Sequence, residues 1–231
     1  MIGIYLITLV FAGIGMFVQW RLKSKFQQYS EIGLANGLSG REIAEKMLRD
    51  NGIYDVRIIS VEGQLTDHYN PSDKTVNLSP DVYYGRSASA AAVASHECGH
   101  AVQHARAYSM LEFRSAMVPV LSIANNFMPI ALMIGMMLLY STGNKLVLTI
   151  GVAMFALATL FSFITLPVEF DASRRALAWM SERNIVTQRE HEMAKDALWW
   201  AAMTYVAAAL GMLAQLLYYM SLLSGGRRSD D

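Results

Sequence analysis

Apolar and polar positions are sharply segregated along this chain. Four stretches carry no Asp, Glu, Lys or Arg: residues 1–20, 115–144, 146–168 and 197–226. A helix of about 20 apolar residues crosses a hydrocarbon core of roughly 30 Å, so each stretch is long enough to span a bilayer. The predicted spans are 1–20, about 117–140, about 146–167 and about 199–223. The first has no basic run ahead of its apolar core, and Arg21, Lys23 and Lys25 follow it. That layout fits an uncleaved anchor with its N-terminus outside better than a cleaved signal. The second has Pro119, Asn125, Asn126 and Pro129 in its first half, and such prolines interrupt the hydrogen-bond ladder unless neighbouring helices compensate. The third is clean. The fourth opens with Trp199–Trp200 and carries Tyr218–Tyr219, as interfacial aromatics do. One such stretch could be a buried core helix, but four could not, because too little sequence remains to cover them.

Between the spans lie two polar segments, 21–116 and 168–198. Ser39-Gly-Arg-Glu42 is a capping box opening a short amphipathic helix, REIAEKMLRDNG, which Gly52 stops. YDVRIISVEG and QLTDHYNPSDKTVNLS then predict a three-stranded sheet, in part a hairpin turning at Asn70-Pro71-Ser72-Asp73. From Arg86, the run RSASAAAVASHECGHAVQHARAYSMLEF reads as one helix capped by Ser87 or Ser89. The tail GGRRSDD reads as frayed. The expected class is an α-helical polytopic membrane protein with four transmembrane helices and a small α+β domain. Its parts are an anchor (1–20), an α+β domain (21–116), a transmembrane pair (117–167), a helical segment (168–198), a fourth transmembrane helix (199–223) and a tail (224–231).

Composition narrows this further. With 54% hydrophobic and 16% charged residues, the chain is neither an ordinary soluble globule nor a disordered one. Cys98 is the only cysteine, which excludes a disulfide scaffold. The formal net charge of +0 gives no reason to expect a nucleic-acid partner. Both polar segments fall on the same side of the bilayer, and they hold 16 of the basic residues against 3 elsewhere. That bias predicts that both segments of this multi-pass protein face the cytoplasm. Arg227–Arg228, just after the last span, dissents.

Candidate chemistry is concentrated at His96-Glu97-Cys98-Gly99-His100. On a helix, residues four apart share a face, so His96 and His100 can bind one metal. Imidazole suits zinc, and a catalytic site leaves one position for water. Glu97, beside the first ligand, can take that water's proton as general base. Cys98 points away, and Gly99 allows close approach on that face. The plain alternative is a solvated group of polar side chains on a helix surface. A third ligand is still required. His104 continues the i, i+4, i+8 series, yet it lies about 12 Å of rise from His96, too far for bonds near 2 Å. VEFDASRRA is the better source: on a helix Glu169, Ser173 and Ala176 share a face while Asp171 turns away. Glu169 is therefore the expected third ligand, against the alternative of an acid that merely opens a helix after Pro167.

These residues, together with Glu169-Phe170-Asp171-Ala172-Ser173-Arg174-Arg175-Ala176 and the segment HYNPSDKTVNLSPDVY, resemble the bacterial membrane-bound neutral zinc metallopeptidases of the YugP type. Those are distant relatives of the CAAX-prenyl and heat-shock-induced membrane zinc peptidases. The resemblance covers most of the chain and implies a multi-pass protein of the bacterial cell membrane with a zincin-like catalytic domain on the cytoplasmic side, and one Zn2+ per chain held by His96, His100 and the glutamate of a Glu-x-x-Ala-Asp pattern. That glutamate falls on Glu169 and the alanine on Ala172. The aspartate that braces a ligand histidine falls on Ser173, a departure that leaves Asp171, Ser173 or a water for the task, with His104 a further candidate around the ligands that would contact a carboxylate or water. It also implies an extended substrate laid along a strand, for which Thr75, Val76, Asn77 and Leu78 are the candidate edge.

The expected function is a zinc-dependent membrane-bound endopeptidase acting on peptide or protein substrates, with lipid as its other partner and oligomeric state open. A site-2-type intramembrane protease is one alternative, and a non-enzymatic scaffold or adaptor with a structural or vestigial metal is another. Oxyanion stabilisation needs a donor near the metal. Tyr83, Tyr84, Arg174, Arg175 and His191 are candidates that sequence does not rank, and His68, like His191, is more often a surface residue.

Overall fold

The computed structural model describes residues 2–225, so Arg227 and Arg228, and the tail expected to fray, lie outside the described residues apart from its first glycine. Ten elements follow in order: α1 (Ile2–Ser30), α2 (Gly40–Asp50), β1 (Arg57–Ser60), β2 (His68–Asn70), β3 (Thr75–Leu78), α3 (Pro80–Tyr83), α4 (Ala88–Ala105), α5 (Ser109–Thr142), α6 (Leu146–Glu182) and α7 (Gln188–Ser224). The protein is a polytopic helical protein with a small α+β domain. Four helices, α1, α5, α6 and α7, are long and apolar enough to cross a membrane. All four continue into polar sequence: α1 runs past Trp20 to Ser30, and α6 carries the 168–182 segment without a break.

Two compact units divide the chain. One consists of Met1–Met16, Phe113–Leu166 and Tyr205–Asp231. Within its described residues, large side chains such as Leu9, Met133, Met137 and Leu217 are exposed, an arrangement suited to lipid rather than water. Small residues let its helices approach: a Cβ at Gly135 would lie 2.5 Å from the Leu148 backbone, and one at Gly151 3.0 Å from Leu132 N. Pro119 and Pro129 lie inside α5, which nonetheless remains one helix.

The other unit comprises Phe17–Glu112 and Pro167–Thr204. Ser39 caps α2 as the capping box predicts: its side chain accepts from Glu42 N–H at 3.3 Å while Glu42 accepts from Ser39 N–H at 2.7 Å. At the centre is α4, with fourteen of its eighteen residues buried. It is buried nearly all round, and its alanines are what allow that, because each neighbour can come close. Ile43, Met47, Val76, Leu78, Val82 and Met180 are among the side chains of the same core.

The three-stranded sheet has order β1-β3-β2. β2 and β3 form the expected hairpin, with His68 opposite Asn77 and Asn70 opposite Thr75. Asn70 Oδ1 accepts from Ser72 N–H at 2.9 Å and closes the turn. β1 pairs parallel to β3, Arg57 opposite Thr75. Here the sequence expectation is corrected. Thr75, Val76, Asn77 and Leu78 form the central strand, hydrogen-bonded on both sides and buried throughout, so they offer no edge to a substrate. The hairpin supplies one partner, and the returning β1, which sequence spacing could not place, supplies the other.

A second correction concerns the long helix expected from Arg86 to Phe113. It breaks after Ala105: Ala107 N–H bonds His104 O at 3.1 Å and Tyr108 N–H bonds Gln103 O at 3.0 Å, the paired bonds of a Schellman ending. Ala107 occupies the left-handed position, φ 48, where glycine is usual, so no residue type marks the stop. Because the left-handed conformation costs an L-residue about 1–2 kcal/mol, Ala107→Gly should stabilise the protein by about 0.5–1 kcal/mol after the extra entropy of glycine. A raised unfolding midpoint in detergent, compared with the wild type, checks this.

Candidate metal centre

His96 and His100 stand one turn apart on α4, their ring centroids 4.8 Å apart. Gly99 lies between them against α6: a Cβ there would fall 2.6 Å from Ala172 O. This contact of helix against helix places Glu169 opposite the two imidazoles. Its Oε2 is 3.3 Å from His96 Nε2 and 3.6 Å from His100 Nε2, and the three ligand atoms lie within 4.8 Å of one another. Glu169 is only 3% exposed and His100 8%. Ligand atoms on a tetrahedral ion with bonds of 2.0–2.1 Å stand about 3.3 Å apart. The donor set and the two distances from Glu169 to the imidazoles therefore fit zinc.

Charge follows the same geometry. Burial is the largest single influence on His100 and discourages a proton there, but the Glu169 and Glu97 carboxylates and the Gln103 oxygen together outweigh it and hold the imidazole above its ordinary pKa. A cation there is favoured, whether proton or metal. Glu97 stands outside the triple. It is buried, and its Oε2 accepts from Tyr69 N–H at 2.9 Å. Cys98 turns into the core, its Sγ 3.7 Å from Ala44 O.

Each of the two histidines is braced through Nδ1, but by different means. Ser173 Oγ lies 3.1 Å from His96 Nδ1, so the position where the resembling pattern has an aspartate holds a hydroxyl that reaches the same atom. Gln103 Oε1 lies 3.0 Å from His100 Nδ1. Gln103 Nε2 in turn donates to Val168 O at 2.8 Å and to Asp171 Oδ2 at 2.9 Å. Asp171 is held by Arg175 at 2.5 Å and by Arg174. His104 lies beside the hairpin: its Nδ1 is 2.7 Å from Tyr69 Oη. Burial pushes the Tyr69 phenol up to about 12, so it stays protonated at neutral pH.

The remaining candidates scatter. Arg174 and Arg175 are committed to Asp171, with Arg175 also 5.8 Å from the Tyr108 ring centroid. Tyr83 and Tyr84 pack edge to face at 4.8 Å, and Arg41 lies over Tyr83. His191 Nε2 is 3.2 Å from Leu177 O. It lines a cavity of about 720 Å³ shared with Ser173, Arg174 and Trp199. His68 is exposed, its ring 2.8 Å from Thr66 O. Gln103 and Tyr69 are the residues that sequence reasoning missed. Gln103 had a usable signal, since it is three residues after His100 and the longest polar side chain nearby in an alanine-rich helix. Tyr69 had none, because its role at Glu97 is played by a backbone N–H.

The chain matches the family described as "Putative neutral zinc metallopeptidase" over residues 4–224. A relative described as "Putative membrane protease YugP", from Bacillus subtilis (strain 168), is 40% identical over 221 residues, 96% of each chain. No solved structure matches it.

The approach at Gly99 is directly testable. Gly99→Ala inserts a methyl into a 2.6 Å gap against backbone, which must shift, and overpacking of this kind costs about 1–3 kcal/mol. The variant should lose both stability and zinc affinity, measured by thermal unfolding and by zinc content after purification.

Proposed function

Since the chain belongs to the family described as "Putative neutral zinc metallopeptidase", we propose that it is a zinc-dependent endopeptidase of the bacterial cell membrane. His96, His100 and Glu169 hold one Zn2+, and Glu97 is the general base. One observation carries this reading: two imidazole nitrogens and one carboxylate oxygen converge within 4.8 Å of one another, while a second buried acid, Glu97, next in sequence to His96, stays outside them. A purely structural metal needs ligands and no base, so Glu97 favours hydrolysis over a scaffold.

Bound at this triple, zinc supplies Lewis acidity toward a peptide carbonyl and toward water. Glu97 takes the proton of the attacking water and passes it to the leaving amine. Its carboxylate is held beside β2 by Tyr69 N–H. Among the described residues β2 pairs on one side only, with β3. Its other side, facing Glu97, is the edge along which an extended peptide would align. Ser173 and Gln103 orient the two imidazoles. The site-2-type alternative is disfavoured because α4 is not among the helices long and apolar enough to cross a membrane. The basic residues, 16 against 3, support a cytoplasmic catalytic unit.

Two experiments test the proposal. Glu97→Gln should keep zinc and fold yet lose about 10²–10⁴-fold in peptidase turnover, whereas Glu169→Ala should purify with little zinc and no activity; His104→Ala should keep zinc. Turnover near wild type in a zinc-loaded Glu97→Gln protein rejects the mechanism. For sidedness, a cysteine placed at exposed Ser72 in a Cys98→Ala background should react with an impermeant reagent only after cells are permeabilised. Labelling of intact cells puts the catalytic unit outside.

A further inference from the structure

Gln103 is fully buried, 0% exposed, in the middle of the protein's polar network. A primary amide offers two N–H donors on one side and a carbonyl acceptor on the other, and the two ends look alike in shape. Here the surroundings allow a single orientation. Nε2 lies 2.8 Å from Val168 O and 2.9 Å from Asp171 Oδ2. A backbone carbonyl can only accept. Asp171, paired with Arg175 and Arg174, is an ionised carboxylate and can also only accept. Turning the amide over would set its carbonyl against both acceptors with no donor between them, a buried mismatch that proteins avoid. Both N–H groups are therefore used, and Oε1 must face His100 Nδ1 at 3.0 Å. An amide oxygen cannot donate, so the proton of that hydrogen bond sits on His100 Nδ1. A neutral imidazole with its proton there has its lone pair on Nε2, the atom 3.6 Å from Glu169 Oε2.

We propose that Gln103 is a positioning residue that locks His100 in the Nδ1–H form and so aims a lone pair at the metal position. Through Gln103 the Asp171–Arg175 pair governs metal affinity although neither residue approaches the three ligand atoms as a donor. The contrast with His96 sharpens the assignment. Its Nδ1 partner is the Ser173 hydroxyl, which can turn to donate or accept and therefore imposes neither form. One histidine is constrained by the network and the other adapts. The inference rests on reading His96, His100 and Glu169 as metal ligands, and it is independent of whether the protein cleaves peptides.

The test uses the full-length protein in detergent, labelled with 15N-histidine and stripped of metal, at a pH where its imidazoles are neutral. Nitrogen shifts then report which ring nitrogen carries the proton, with His100 assigned from a His100→Asn variant. In the wild type His100 should be protonated at Nδ1; an Nε2–H imidazole there overturns the proposal without recourse to any variant of Gln103. Gln103→Leu keeps approximate volume but removes the acceptor. It should release that preference and weaken zinc binding, measured by chelator competition, by about 10–100-fold. Unchanged zinc affinity in a folded Gln103→Leu protein also overturns it. Asp171→Ala takes away one of the two acceptors that fix the Gln103 amide, so it should also loosen the Nδ1–H preference; a proton position unchanged in both variants leaves Gln103 a merely space-filling role and overturns the proposal. A wild-type protein that binds no zinc refutes the ligand assignment instead, and the nitrogen shifts still decide what Gln103 does to His100.

Discussion

A missing side chain sets the dimensions of the site. With only a hydrogen at Gly99, α4 and α6 meet backbone to backbone at Ala172 O, and nothing bulkier would let Glu169 reach both imidazoles. The closeness has an electrostatic cost. It strands a carboxylate and two histidines where water scarcely reaches, and buried charge must be paired or coordinated. The surrounding residues meet that need in order: Glu169 faces His96 and His100, Gln103 and Ser173 take their far nitrogens, and Asp171 with its two arginines closes the network. All buried side-chain polar atoms among the described residues have partners.

Glu97 is governed by a different element. Its helix and the β2–β3 hairpin are joined at two points by one residue, Tyr69. The backbone N–H grips Glu97, and the phenol grips His104 two turns further along the same helix. At the start of β2, Asp67 accepts from Ser79 N–H at 2.7 Å and fastens the strand to the chain leaving β3. Burial raises the pKa of Asp67 above the usual carboxylate range, against those hydrogen bonds. The strand beside the acid is thus anchored from below and from the side.

Much of this was legible in the sequence because it depends on one-dimensional patterns. Charge-free stretches identify the four long helices, since no other environment accepts so much apolar surface. The capping box at Ser39, the hairpin turn at Asn70 and the shared face of Glu169 and Ser173 are all local periodicities. What escaped is what depends on neighbours. The place of Thr75–Leu78 in mid-sheet follows from a parallel partner some eighteen residues earlier, and alternation along a strand says nothing about which partner it finds. The end of α4 at Ala107 lacks its usual glycine. Gln103 is marked by its place three residues after His100, but the carbonyl and carboxylate it bridges come from another helix and are set only by the fold.

Cys98 shows what the tight packing of α4 means for the chemistry of a thiol. It lies between the two histidines in sequence, yet it is completely buried against α2, and burial drives its pKa far above that of a free cysteine. A thiol that does not ionise neither competes for zinc nor attacks a disulfide or an electrophile. The candidate metal centre is in this sense redox-blind, so oxidants and alkylating agents that silence thiol-dependent enzymes meet no target at this position while the domain stays folded.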